Sequence, residues 1–62
     1  MYDKRYDLSR GDLVEIYSPL SMYHGYYALV VDGPNVYGVY NILIQVNLEI
    51  RSYGYGELER IN

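Results

Sequence analysis

Sixty-two residues without a cysteine make one small domain with a thin margin of stability, and they exclude disulfides and thiolate metal centres. A formal charge of −3, with Lys4, Arg5, Arg10, Arg51 and Arg60 scattered along the chain, argues against a surface built to grip phosphates. Half the residues are apolar and ten are tyrosine, with no Phe or Trp, so every aromatic ring brings a hydroxyl that seeks water or a polar partner.

Residues 1–10 mix charges with Tyr2, Tyr6 and Leu8 without a period and read as an N-terminal arm. A first strand is predicted over Asp12 to Tyr17, with Val14 and Ile16 on one face and Leu13, Glu15 and Tyr17 on the other. Ser18, Pro19 and Ser21 mark a loop, and Gly25 supplies the backbone freedom for re-entry. The run Tyr26 to Val31 is almost continuously apolar, the pattern of a strand covered on both faces or of an edge that a partner covers. It stops at Asp32-Gly33-Pro34-Asn35, a clear turn signal. In the third strand Tyr40, Ile42, Ile44 and Val46 share one face, with Asn41, Leu43 and Gln45 opposite. A bend near Asn47 and a fourth strand over Leu48 to Ser52 follow, since one strand from Tyr40 to Ile50 would exceed the usual length. Tyr53-Gly54-Tyr55-Gly56 reads as a tight turn with 3₁₀ character. A last strand over Glu57 to Ile61 has Leu58 and Ile61 closing the bottom of a barrel.

Three stretches together, Gly11-Asp12-x-Val14-x-Ile16, Pro19-x-Ser21-x-Tyr23-x-Gly25 and Glu57-Leu58-Glu59-Arg60-Ile61, resemble the small SH3-like barrels of the KOW-like type. The combination is most similar to short stand-alone SH3-like proteins encoded by bacteriophages. That resemblance implies an all-β fold, a five-stranded SH3-like barrel over residues 11–62 behind the arm of residues 1–10, and a virion or host-cell setting. Signalling SH3 domains carry an Ala-Leu-Tyr-Asp-Tyr strand and a groove tryptophan; this chain has neither, so polyproline binding is not implied. The peripheral subunit IV of photosystem I is similar at Arg10-Gly11, Val14, Ile16, Pro19, Ser21 and the Tyr40 to Val46 strand. Its aromatic pair after the serine, long fourth loop and basic residues are altered or missing here.

The chemistry-bearing residues point away from catalysis. His24 is the only histidine and reads as a loop residue rather than a base or metal ligand. Asp12, Glu15, Asp32, Glu49, Glu57 and Glu59 fit a solvated surface better than a carboxylate pair facing across a cleft. Arg10-Gly11-Asp12 spells an integrin-recognition tripeptide, but its aspartate opens a strand rather than a loop tip. The expectation is a non-enzymatic protein-interaction module without cofactor or metal, binding a protein partner or itself through Tyr23, Tyr26, Tyr27, Tyr53 and Tyr55. The alternative is a nucleic-acid binder using Lys4, Arg5, Arg10 and Arg51 with nearby tyrosines, although Asp3 and Asp7 interrupt the basic cluster. No apolar run reaches a membrane span and the first residues lack the apolar core of a signal peptide, which implies a cytoplasmic or virion location.

Overall fold

The computed structural model describes residues 8–61. Five strands, β1 (Leu13–Ile16), β2 (Tyr27–Asp32), β3 (Val39–Ile44), β4 (Ile50–Gly54) and β5 (Leu58–Arg60), form one antiparallel sheet in the order β4-β3-β2-β1-β5. A 3₁₀ turn over Tyr55–Glu57 joins β4 to β5, as the Tyr-Gly-Tyr-Gly signal predicts. The fold is all-β. Among the described residues no hydrogen-bonded ladder joins β4 to β5, so the sheet stays open at that seam. No described helix is long and apolar enough to cross a membrane.

Alternation decides what lies inside. Val14, Ile16, Ala28, Val30, Tyr40, Ile42 and Ile44 are buried, while their neighbours Leu13, Glu15, Leu29, Asn41 and Leu43 sit half-buried on the opposite face. Leu58 of β5 joins this cluster and Tyr53 packs against it, so strands from both edges wrap around one core. The β2–β3 register shifts by one residue between Val30 and Asp32, a bulge at Val31 that bends β2 and sharpens its twist.

Several expectations need correction. Val46 does not share the core face: β3 ends at Ile44, residues 45–47 turn, and Val46 is exposed. β4 starts at Ile50 rather than Leu48, because Leu48 adopts φ 60 and its N–H bonds Ile44 O at 2.8 Å, closing the turn. Gly54 lies within β4, and Ile61, expected to close the bottom, is exposed beyond β5. Leu8, placed in the arm, is buried in the core cluster. β2 is covered on one face only, with Ala28 and Val30 inward and Tyr27 exposed. Tyr2, Lys4, Arg5 and Tyr6 lie outside the described residues.

Gly33 holds the β2–β3 connection in a form that a side chain cannot share. Its φ is +116, and a Cβ there would lie 2.9 Å from Tyr40 Cα and 3.0 Å from Val39 O. Beyond it Asn35 organises the turn, its Oδ1 accepting the N–H groups of Tyr37 and Val39 at 2.8 and 3.1 Å. The obstructing atoms belong to the backbone of a central strand, so they cannot move aside cheaply. Gly33→Ala is expected to destabilise the protein by at least ~2 kcal/mol through overpacking and backbone strain. Urea unfolding checks this; a midpoint equal to the wild type would contradict the packing at Tyr40.

Candidate functional site

The loop between β1 and β2 carries Ser18, Ser21, Tyr23 and His24, and successive turns build it. Ser21 N–H bonds Ser18 O, His24 N–H bonds Ser21 O, and Tyr26 N–H bonds Tyr23 O, at 2.7, 3.2 and 3.0 Å. Gly25, at φ +87, then brings the chain back so that Gly25 N–H and Ile16 O meet at 2.7 Å. Side chains from β4 and the 3₁₀ turn clamp the loop. Ser18 Oγ donates to Glu57 Oε2 at 2.8 Å, and Ser21 Oγ and the Tyr53 hydroxyl share a bond of 2.5 Å.

Tyr23 is the loop's anchor. Its ring is buried in the core, and its hydroxyl donates to Glu49 Oε1 at 2.8 Å while accepting from Asn47 Nδ2 at 2.9 Å. The Arg51 guanidinium stands 5.5 Å from the ring centroid and bonds Glu49 Oε1 at 2.7 Å. The bond from Tyr23, reinforced by that from Arg51, holds the Glu49 carboxyl below the usual glutamate range.

Ser18, His24 and Glu57 meet without forming a nucleophile and base. The Ser18 hydroxyl donates to the carboxylate, and His24 Nδ1 accepts from Ser18 N–H at 3.1 Å instead of from the hydroxyl. Tyr17 packs edge-on against the imidazole at 5.2 Å. Among the described residues no three His, Asp or Glu side chains converge as a metal site. In the Arg10-Gly11-Asp12 tripeptide, the Asp12 carboxylate accepts Ser9 N–H at 2.8 Å and is half-buried.

The five tyrosines singled out from the sequence do not form one surface. Tyr23 is buried and belongs to the core. Tyr53 is half-buried and tied to Ser21. Tyr55 lines a cleft of about 320 Å³ with Leu8, Tyr17 and Leu58. Tyr26, edge-on to Tyr23 at 5.5 Å, and the exposed Tyr27 flank a shallow hollow of about 410 Å³ with Gln45 and Val46. Arg10 and Arg51 are both exposed, and Arg51 is already paired with Glu49.

No family model, curated protein or solved structure matches the chain.

Strand register shows a feature that residue spacing alone misses. Leu13 lies opposite Leu29, Leu29 opposite Leu43, and Leu43 opposite Ile50. Cross-strand partners share a face, so these residues make one apolar row across four strands on the outer side of the sheet. The next row runs Glu59, Glu15, Tyr27. No described residue forms an ion pair with Glu15 or Glu59. The available signal was the apolar Leu13, Leu29 and Leu43, which alternate with the inward Val14, Ala28 and Ile42.

Because the folded-state pKa of Glu49 is depressed, its contribution to stability is present above the unfolded value and is lost as pH falls through the lower folded one. Tyr23→Phe removes the largest cause and should move the Glu49 titration upward, toward the ordinary range, in a carboxyl-detected NMR titration. An unmoved midpoint would contradict the hydroxyl's role. Tyr23→Ala, which also deletes the buried ring, should cost about 3–5 kcal/mol in urea unfolding.

Proposed function

We propose that this chain is a non-catalytic protein-interaction module of the SH3-like type, working in a bacteriophage virion or in the cytoplasm of an infected host cell. The phage setting rests on the sequence resemblance. The SH3-like reading is supported by that resemblance together with the sheet order β4-β3-β2-β1-β5 and the 3₁₀ turn before the last strand.

One observation carries the interaction reading. Tyr26, Tyr27 and Val46 surround a shallow hollow whose lining is mostly apolar, and Tyr27 stands beside the outer apolar row at the centre of the sheet. Tyrosines at such a place offer large contact area with little side-chain entropy to lose. Glu15, opposite Tyr27, and Glu59 beyond it favour a partner that presents a basic side chain beside an apolar one. The nucleic-acid reading has less support: Arg10 and Arg51 lie on different elements, and Arg51 is paired with Glu49.

The test uses a photo-crosslinking residue in place of Tyr27, compared with one in place of the exposed Tyr37 on the β2–β3 connection. In phage-infected lysate a discrete protein adduct is expected from position 27 and not from position 37. Tyr26→Ala with Tyr27→Glu should remove partner binding while leaving the circular dichroism spectrum unchanged, and added salt should weaken the wild-type complex. Equal adducts from both positions, or full binding by the double variant, would overturn this surface. Salt-sensitive binding of single-stranded oligonucleotides that is lost in Arg10→Ala would favour the alternative instead.

A further inference from the structure

We propose that β4 is a self-association edge, on which a second copy of this chain pairs antiparallel about a two-fold axis at Ile50. This goes beyond the hollow at Tyr27 and does not depend on it.

The backbone comes first. Ile44 N–H bonds Glu49 O at 2.8 Å, and the β3–β4 register places Ile42 opposite Arg51 and Tyr40 opposite Tyr53. Antiparallel ladders alternate, so Glu49 O and the backbone groups of Arg51 and Tyr53 face β3 while Ile50 and Ser52 direct theirs outward; Glu49 N–H donates to Asn47 Oδ1 at 3.0 Å. Among the described residues β4 pairs only with β3. It contains no proline and no lysine, the usual devices that blunt an exposed edge, and Ile50 is 56% exposed on it.

Side chains then select the partner and the register. Glu49 and Arg51 flank Ile50 on one face and are bonded to each other at 2.7 Å with half of each side chain exposed. A two-fold axis through Ile50 sets Glu49 of each copy opposite Arg51 of the other, so the charge pattern is complementary to itself. Among the described residues no bond reaches Glu49 Oε2, which is left as the acceptor for the second guanidinium. On the outer face the same axis brings Ile50 against its own copy. The apolar row Leu13, Leu29, Leu43, Ile50 then continues without a break into the row of the second sheet. In this register Ile50 and its symmetry mate form a hydrogen-bonded pair and exchange both N–H···O bonds, satisfying the outward groups at the centre of the contact. Shifting the axis to Arg51 would oppose two guanidinium groups. The paired segment is short and the contact lies below the standard interface size, so the dimer forms by mass action at high concentration rather than as an obligate unit.

Light scattering over a concentration series to ~1 mM tests this. The mass should rise from that of one chain toward that of two. Arg51→Glu and Glu49→Arg each place like charges opposite one another, and each should weaken association by ~10-fold or more. Mixing the two variants in equal amounts should restore it, because every cross-copy pair is then of opposite sign. Circular dichroism confirms that each variant is folded. Should Glu49→Arg fail to fold for want of the Tyr23 bond, Ile50→Lys decides: this exposed substitution leaves that bond intact and should hold the chain monomeric. A mass that stays flat to the highest concentration, an unrestored mixture of folded variants, or dimerisation of Ile50→Lys would each overturn the proposal. None of these outcomes alters the crosslinking result expected at Tyr27.

Discussion

The burial of Tyr23 governs this molecule. The ten-residue loop from Tyr17 to Tyr26 has no ladder of its own and would lie free over the end of the sheet without an anchor. The ring enters the core, and the hydroxyl reaches the polar pair Asn47 and Glu49 just before β4. Tyrosine suits this position because phenylalanine would fill the same space and leave nothing to bind the rim. Once Tyr23 is seated, Ser21 meets Tyr53 and Ser18 meets Glu57, so one buried ring aligns contacts on both β4 and the 3₁₀ turn. Tyr26, three residues on, is thereby fixed beside the hollow. Core packing and surface geometry share this one residue.

A second constraint is the number of faces. A sheet that curls around a single core has one interior, yet β1, β2, β3 and β4 supply apolar residues to both sides. Val14, Ala28 and Ile42 take the interior, and Leu13, Leu29, Leu43 and Ile50 are left on the outer face. Scattered apolar residues on a surface need no explanation, but a row aligned across the strands does. The row ends at Ile50 on an edge whose charges are arranged symmetrically, and it passes beside Tyr27 in the middle of the sheet.

The period-two pattern made much of the fold legible. Val14 with Ile16, and Tyr40 with Ile42 and Ile44, fall where alternation assigns them, because a strand's pleat leaves no other choice. Alternation carries no information on where a strand stops. Val46, Leu48 and Ile50 extend the pattern of Tyr40 to Ile44, but the turn at 45–47 and the left-handed backbone of Leu48 move them into solvent. The burial of Tyr23 was illegible for a different reason. A loop has no period, and the residues that hold Tyr23 lie more than twenty positions away in the chain. Tyrosines 23, 26, 27, 53 and 55 look alike as sequence and divide only when the strands place them, into a core anchor, a clamp, a cleft wall and a hollow.

That division bears on how so small a chain can bind anything. Glu49 serves three groups at once: it accepts from Tyr23, pairs with Arg51, and borders the β4 edge. Substituting it therefore perturbs folding and surface together, and no deletion at that position separates the two. Tyr27 and Ile50 are different. Each is exposed, and neither side chain belongs to the Tyr23 network. In a domain with few spare residues, such positions are where binding can be altered without touching stability. The outer row runs between these two positions through Leu43 and Leu29, so the edge and the hollow border one continuous face of the sheet.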